Sequence, residues 1–85
     1  MNIQTTRPFD HDYARLPEEV KQRVDKRLAL LLSNPRHPSL RLKKVRGTED
    51  IWEARVTRGY RMTLQIAGDT FILRRTGAHD VLKEP

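Results

Sequence analysis

Residues 52–66 read WEARVTRGYRMTLQI, two alternating runs separated by a short polar break. Trp52, Ala54 and Val56 fall on one side of the first run, and Glu53, Arg55 and Thr57 on the other. That is the period of a half-buried strand. A three-residue loop of Thr57, Arg58 and Gly59, with Gly59 in the left-handed conformation, predicts a closed hairpin. The register then sets Val56 opposite Tyr60, Arg55 opposite Arg61, Ala54 opposite Met62 and Trp52 opposite Leu64. Inward residues meet inward residues, and Arg55 and Arg61 become neighbours on the outer face. A second turn at Gly68-Asp69 predicts Ile66 opposite Phe71, Leu64 opposite Leu73 and Arg61 opposite Thr76. The last strand thus ends beside the arginines, and GAHD carries His79 toward them.

Outward from this meander, the remaining chain supplies helices and edges. IQTTRPF predicts a first strand that Pro8 confines to an edge or an end. In DHDYARL, Asp10 can cap a short helix with Phe9, Tyr13 and Leu16 facing inward. Pro17 opens a longer helix, PEEVKQRVDKRLALLLSN, with Glu18 and Glu19 at its positive end and Asn34-Pro35 as its stop. Val20, Val24, Leu28, Leu31 and Leu32 form its apolar stripe, and Leu30 points away. LRLKKVRG predicts another strand, but its apolar positions change parity between Leu42 and Val45. A β-bulge near Lys43-Lys44 reconciles the halves. The sum is an α+β fold: an N-terminal strand and two helices packed on a small, mainly antiparallel, twisted sheet.

Length and charge narrow the classes. Eighty-five residues hold one domain, residues 1–85, with one modest core. A net charge of +6 favours phosphate-bearing or acidic partners. With no cysteine, disulfide staples and thiolate metal sites are excluded. No apolar run approaches the roughly 20 residues of a membrane span. The N-terminus lacks the apolar centre of a secretory signal, so a cytoplasmic location is expected.

Like charges directly opposite on a sheet cost roughly 0.2–1 kcal/mol. The Arg55–Arg61 pair is either a solvated face neutralised by Glu53 or Asp80, or an anion site, since guanidinium groups grip phosphate through paired hydrogen bonds. RNA cleavage needs little more. The ribose 2′-hydroxyl attacks its own phosphate once a group takes its proton, cations stabilise the phosphorane, and an acid protonates the leaving 5′-oxygen. Histidine suits that proton transfer near neutral pH, and His79 stands out from His11 and His37 by its predicted neighbours. There is no GxxxxGK[ST] loop, HExxH or GxSxG. The histidines lack metal-site spacing, so neither a metal nor another cofactor is expected.

The hairpin W-E-x-R-V…G-Y-R and the ending R-R-T-G-x-H-D make the chain similar to the RelE/ParE superfamily of bacterial toxins from toxin–antitoxin pairs, nearest its RelE and YafQ branches. The resemblance spans nearly the whole chain. It implies a ribosome-dependent endoribonuclease that cuts messenger RNA in the ribosomal A site without a metal, and a cognate antitoxin as partner. By position, it implies that Arg61 meets the scissile phosphate, with Arg55 and His79 as its catalytic companions. Lys43 and Lys44 fall in the region relatives use for RNA. With Arg46, Arg74 and the helix residues Lys21, Arg23, Lys26 and Arg27, they are the candidate contacts to messenger and ribosomal RNA, which would make association salt-sensitive. Leu30 is a candidate for burial beneath the antitoxin. Departures exist. Gly59 stands where the YafQ branch has an acidic catalytic residue, Lys83 stands roughly where relatives have a base-stacking aromatic, and a C-terminal helix is expected to be short or absent. Glu53 is an alternative general base, or a salt-bridge partner of Arg55. The competing readings are a ParE-like inhibitor of DNA gyrase, acting by protein–protein binding, and a catalytically inactive basic RNA-binding module.

Overall fold

Alternation, turn chemistry and one long amphipathic helix combine in a five-stranded sheet with helices on one face. The structure, a computed structural model, describes residues 1–85. In chain order it contains β1 (Asn2–Thr5), α1 (Arg7–Ala14), α2 (Glu18–Ser33), a 3-10 turn (Pro38–Leu40), β2 (Lys43–Lys44), β3 (Trp52–Arg55), β4 (Tyr60–Ala67), β5 (Thr70–Ala78) and a final 3-10 turn (His79–Leu82). The strands lie in the order β1-β5-β4-β3-β2. All pairings are antiparallel except β1 with β5. The N-terminal strand is therefore an edge, and Pro8 lies beyond it in the first turn of α1.

The helices bury what the inward side of the sheet leaves exposed. Val24 and Leu31 of α2 are fully buried against a cluster that includes Leu40, Ala54, Val56, Met62, Leu64 and Leu73. Burying a Leu or Met side chain stabilises by about 1.5–3 kcal/mol, so this layer is the main support of the fold. At about 100° per residue, Leu30 and Leu32 flank Leu31 on opposite sides. The structure half-buries Leu30 and leaves Leu32 44% exposed, the reverse of the expected stripe. The sheet lies toward the Leu30 flank, and periodicity cannot distinguish the two flanks. At α1, the cap is Thr6 rather than Asp10: its hydroxyl accepts from the Phe9 amide at 3.4 Å, and the helix starts earlier than expected.

The first hairpin keeps its predicted register, with Arg55 opposite Arg61 and Trp52 opposite Leu64. Its loop closes differently. Left-handed backbone occurs at Gly47, Gly68 and Arg41, and not at Gly59. Instead the Val56 amide donates to the Tyr60 carbonyl at 3.0 Å, and the Gly59 amide donates to the Thr57 hydroxyl at 3.3 Å.

The second hairpin holds its predicted register from Ile66–Phe71 to Leu64–Leu73, then slips. Thr63 pairs with Arg75, so Arg74 is an extra residue, and Gly77 rather than Thr76 stands opposite Arg61. This bulge is held from α1's end of the chain. The Thr6 hydroxyl donates to the Leu73 carbonyl at 2.8 Å and lies 3.3 Å from that of Arg74. Asp12 accepts from the Thr76 amide at 3.2 Å and from Arg75 Nε at 2.6 Å. The slip turns Thr76 inward against Met62, where it is 2% exposed. Conversely, the bulge expected at Lys43-Lys44 is absent. Leu40 ends a 3-10 turn, Arg41 takes a left-handed conformation (φ 46°, ψ 44°), and only Lys43–Lys44 are strand. Leu40 is buried from the turn and Val45 from just past the two-residue strand, so neither needs a bulge to face inward.

Candidate functional site

The outer face of β3 and β4 carries the site. Arg55 and Arg61 are direct cross-strand partners there, and Lys43 of β2 pairs with Glu53 beside them. Together with Arg41 and Leu42 they line a hollow of about 370 Å³. Glu53 is its one carboxylate and is 8% exposed. Its oxygen lies 3.9 Å from Arg61 Nε, so the ion-pair partner is Arg61 and not Arg55.

Arg61 is fixed by the hairpin loop. Its Nη1 donates to the carbonyls of Thr57 at 2.7 Å and Tyr60 at 2.9 Å, and lies 3.2 Å from that of Arg58. These bonds occupy one corner of the guanidinium and leave Nη2 without a protein acceptor. Gly77, opposite Arg61, contributes no side chain, and a Cβ there would lie 2.9 Å from Val81 Cγ1. The bulge thus puts the smallest residue next to the arginine and lets the last turn pack against the strand.

The Arg55 side chain has no hydrogen-bond partner. Its pKa is lowered, first by loss of solvent and then by the charges of Arg41, Arg61, Arg58 and Arg27. Uncompensated repulsion of this kind is what an anion would relieve. A second hollow of about 440 Å³ adjoins the first, sharing Arg41 and Arg55 and adding Arg23, Arg27, Ser39, Thr57 and Arg58. Arg27 spans helix and hairpin: Nε donates to the Val56 carbonyl at 3.2 Å and Nη1 to Ser39 Oγ at 2.7 Å. Ser39 Oγ in turn lies 2.8 Å from His37 Nδ1, which also accepts the Ser39 amide. Arg23, Arg41 and Arg58 make no bond through their guanidinium groups.

The structure divides the candidate residues. Arg55, Arg61 and Lys43 share the first hollow, and Arg23 and Arg27 the second. His79 follows Ala78, which pairs with Tyr60; it is exposed, opens the final 3-10 turn and does not line either hollow. Lys44 points to the other face, its ammonium 5.6 Å from the Trp52 ring centre. Lys21 lies 5.8 Å over the Tyr13 ring, while Lys26 and Arg46 are exposed. Arg74 is occupied, donating to the Pro85 carbonyl at 3.1 Å and to Gln65 at 2.9 Å. Arg41 and Arg58 were missing from the sequence candidates. Arg58 sits in the predicted loop next to Arg55 and could have been proposed. Arg41 could not, because its position depends on the turn before β2. No three His, Asp or Glu side chains gather where they could hold a metal ion, and no helix is long and apolar enough to cross a membrane.

No protein-family model matches the sequence, and no curated relative aligns with it. Solved structures do resemble it. YafQ from Escherichia coli strain BL21(DE3) superposes with a TM-score of 0.79 at 16% identity, over 95% of this chain and 96% of that one. A YoeB/ParE toxin from Agrobacterium tumefaciens gives 0.78 at 15%, over 93% and 99%. A chain of the RelB–RelE antitoxin–toxin complex from Methanococcus jannaschii gives 0.73 at 20%, over 95% of each. The chain has the fold these toxins share, the fold its hairpin and ending imply.

Proposed function

We propose that this protein is the toxin of a toxin–antitoxin pair and a ribosome-dependent endoribonuclease acting on messenger RNA in the ribosomal A site. One observation carries the reading: Arg55 and Arg61 stand side by side with Arg41 and Lys43 around a single buried carboxylate, on a fold shared with YafQ, RelE and YoeB toxins. The cations supply the charge that a phosphorane needs as it forms. Arg61, held at Nη1, presents Nη2 to a phosphate oxygen, and unpaired Arg55 takes another. Glu53 is the group within the hollow able to take the proton of the attacking 2′-hydroxyl. His79, exposed at the start of the turn after β5 and outside the hollow, is the candidate to protonate the departing 5′-oxygen. These steps use the chain's own side chains, with no metal or other cofactor in the scheme. The site belongs in the cytoplasm, where its messenger and ribosomal RNA partners are. The protein partner is a cognate antitoxin, as in the RelB–RelE complex.

The test is to map cleavage of messenger RNA on purified ribosomes with wild type, Arg55→Ala, Arg61→Ala, Glu53→Gln and His79→Ala. Cuts at A-site codons, lost or slowed by orders of magnitude in the variants, are expected. Undiminished cutting by Arg61→Ala and Glu53→Gln removes the hollow from the mechanism. A wild type that cuts nothing and instead inhibits DNA gyrase supports the ParE-like alternative. RNA binding without cutting supports the inactive module.

A further inference from the structure

The two hollows share Arg41 and Arg55 but differ in chemistry. The first has four cations, Arg41, Lys43, Arg55 and Arg61, beside the carboxylate of Glu53, so it can bind an anion and move a proton. The second has five arginines, Arg23, Arg27, Arg41, Arg55 and Arg58, with the hydroxyls of Ser39 and Thr57 and no carboxylate. It has no group suited to take a proton near neutral pH. It can only hold an anion.

Four of those five arginines make no hydrogen bond to the protein through their guanidinium groups. The fifth, Arg27, is aimed by the Val56 carbonyl and Ser39 Oγ, which leaves its Nη2 open. A guanidinium has five N–H donors, so the hollow holds far more donors than the fold consumes. Like charges concentrated without counterions destabilise a fold unless an outside anion joins them. The hollows meet along the Arg41–Arg55 ridge, so anions in them would be neighbours on one strand.

We propose that the second hollow is a seat for the phosphate next to the reacting one, so that the site grips consecutive phosphates of a single RNA strand. This rests on reading the first hollow as the seat of the reacting phosphate. Arg41 and Arg55 bridge the pair, while Arg23 and Arg58 serve the second seat alone. Arg41, in a left-handed conformation at the end of the turn before β2, lines both hollows. The second seat reads no base. It sets the strand's path and therefore which phosphate arrives at Glu53.

The experiment compares a dinucleoside monophosphate with a trinucleoside diphosphate, both with 2′-deoxy sugars to prevent cleavage, titrated against the full chain by NMR at low salt. The second phosphate is expected to tighten binding about tenfold, on the scale of one added charge-assisted contact, and to shift the side-chain Nε–H signals of Arg23 and Arg58. Arg23→Ala/Arg58→Ala should erase that gain, so that the two ligands bind alike. Both side chains lie outside the core, and an unchanged amide spectrum checks folding. Equal affinity of the wild type for the two ligands overturns the proposal, and so does a double variant that keeps the gain, whether or not it weakens both ligands. Ribosomal cleavage is scored separately. Absence of cutting with the gain intact defeats the nuclease reading alone, and cutting without the gain defeats the second seat alone.

Discussion

Replacing Asp12 should cost more than its place on a short surface helix suggests. Its carboxylate accepts from Arg75 Nε at 2.6 Å, from Arg75 Nη2 at 3.2 Å and from the Thr76 amide at 3.2 Å. The bond to Asp12 also raises the Arg75 pKa, so that side chain stays charged throughout the useful pH range. In Asp12→Ala the Thr76 amide loses its acceptor and Arg75 keeps only the Glu84 carbonyl, at 3.2 Å. A bond to a charged group contributes about 1.5–3 kcal/mol, and removing one partner of a fully buried pair costs about 3–5 kcal/mol. The Arg75 side chain is 31% exposed, so water replaces part of the loss. A cost of about 2–3 kcal/mol follows. At about 4–8 °C per kcal/mol for a domain this small, Tm falls by roughly 10–20 °C. Thermal unfolding by circular dichroism measures it, with hydrogen exchange at Thr76 reporting the bulge directly. Asp12→Asn, which keeps one acceptor, should fall between. A Tm within about 3 °C of wild type, with Thr76 still protected, would refute the claim that Asp12 holds the bulge.

Other outcomes follow from the site and its supports. Arg55→Gln should raise Tm at low salt by relieving repulsion from Arg41, Arg61, Arg58 and Arg27. Millimolar phosphate should raise wild-type Tm for the same reason, and both effects should shrink in high salt. Gly77→Ala places a Cβ 2.9 Å from Val81 Cγ1 and should cost about 1–3 kcal/mol in urea unfolding. Val81→Ala removes the obstructing methyl, so the double variant should be more stable than the summed single losses predict. The Tyr13 hydroxyl donates to Asp25 at 2.8 Å, and that bond, then burial and the charges of Asp25 and Glu18, raise its pKa above 10.0. Neutral Tyr13 therefore contributes stability in full below pH 10, and this is lost as pH rises through the higher folded value. Tyr13→Phe should flatten that alkaline decline in a Tm–pH profile.

What was legible in the sequence depended on how local its cause was. Arg55 faces Arg61 because strict alternation and loop length leave one register that keeps Trp52, Ala54 and Val56 inward. The turn at Gly68 was equally local, since glycine takes the left-handed position found there. The slip at Arg74 was hidden because its partners, Thr6 and Asp12, lie more than 60 residues away in sequence. It matters to the site, because it exchanges Thr76 for Gly77 opposite Arg61. The gathering of arginines was half legible. Arg55 beside Arg61 follows from strand pairing and Lys43 from the resemblance, whereas Arg41, Arg23 and Arg27 reach Arg55 only through the packing of α2 and the turn after it. That turn combines a 3-10 segment with a left-handed arginine, a conformation no propensity assigns to that residue.

The clamp on Arg61 Nη1 has a thermodynamic consequence. A free arginine loses much rotamer freedom when it grips a ligand, at a cost of about 0.5–1.5 kcal/mol per immobilised side chain. Here the loop carbonyls of Thr57 and Tyr60 impose that order during folding. An arriving phosphate therefore meets a donor already stationary, and the entropy of stilling it is charged to the hairpin's stability instead of to affinity.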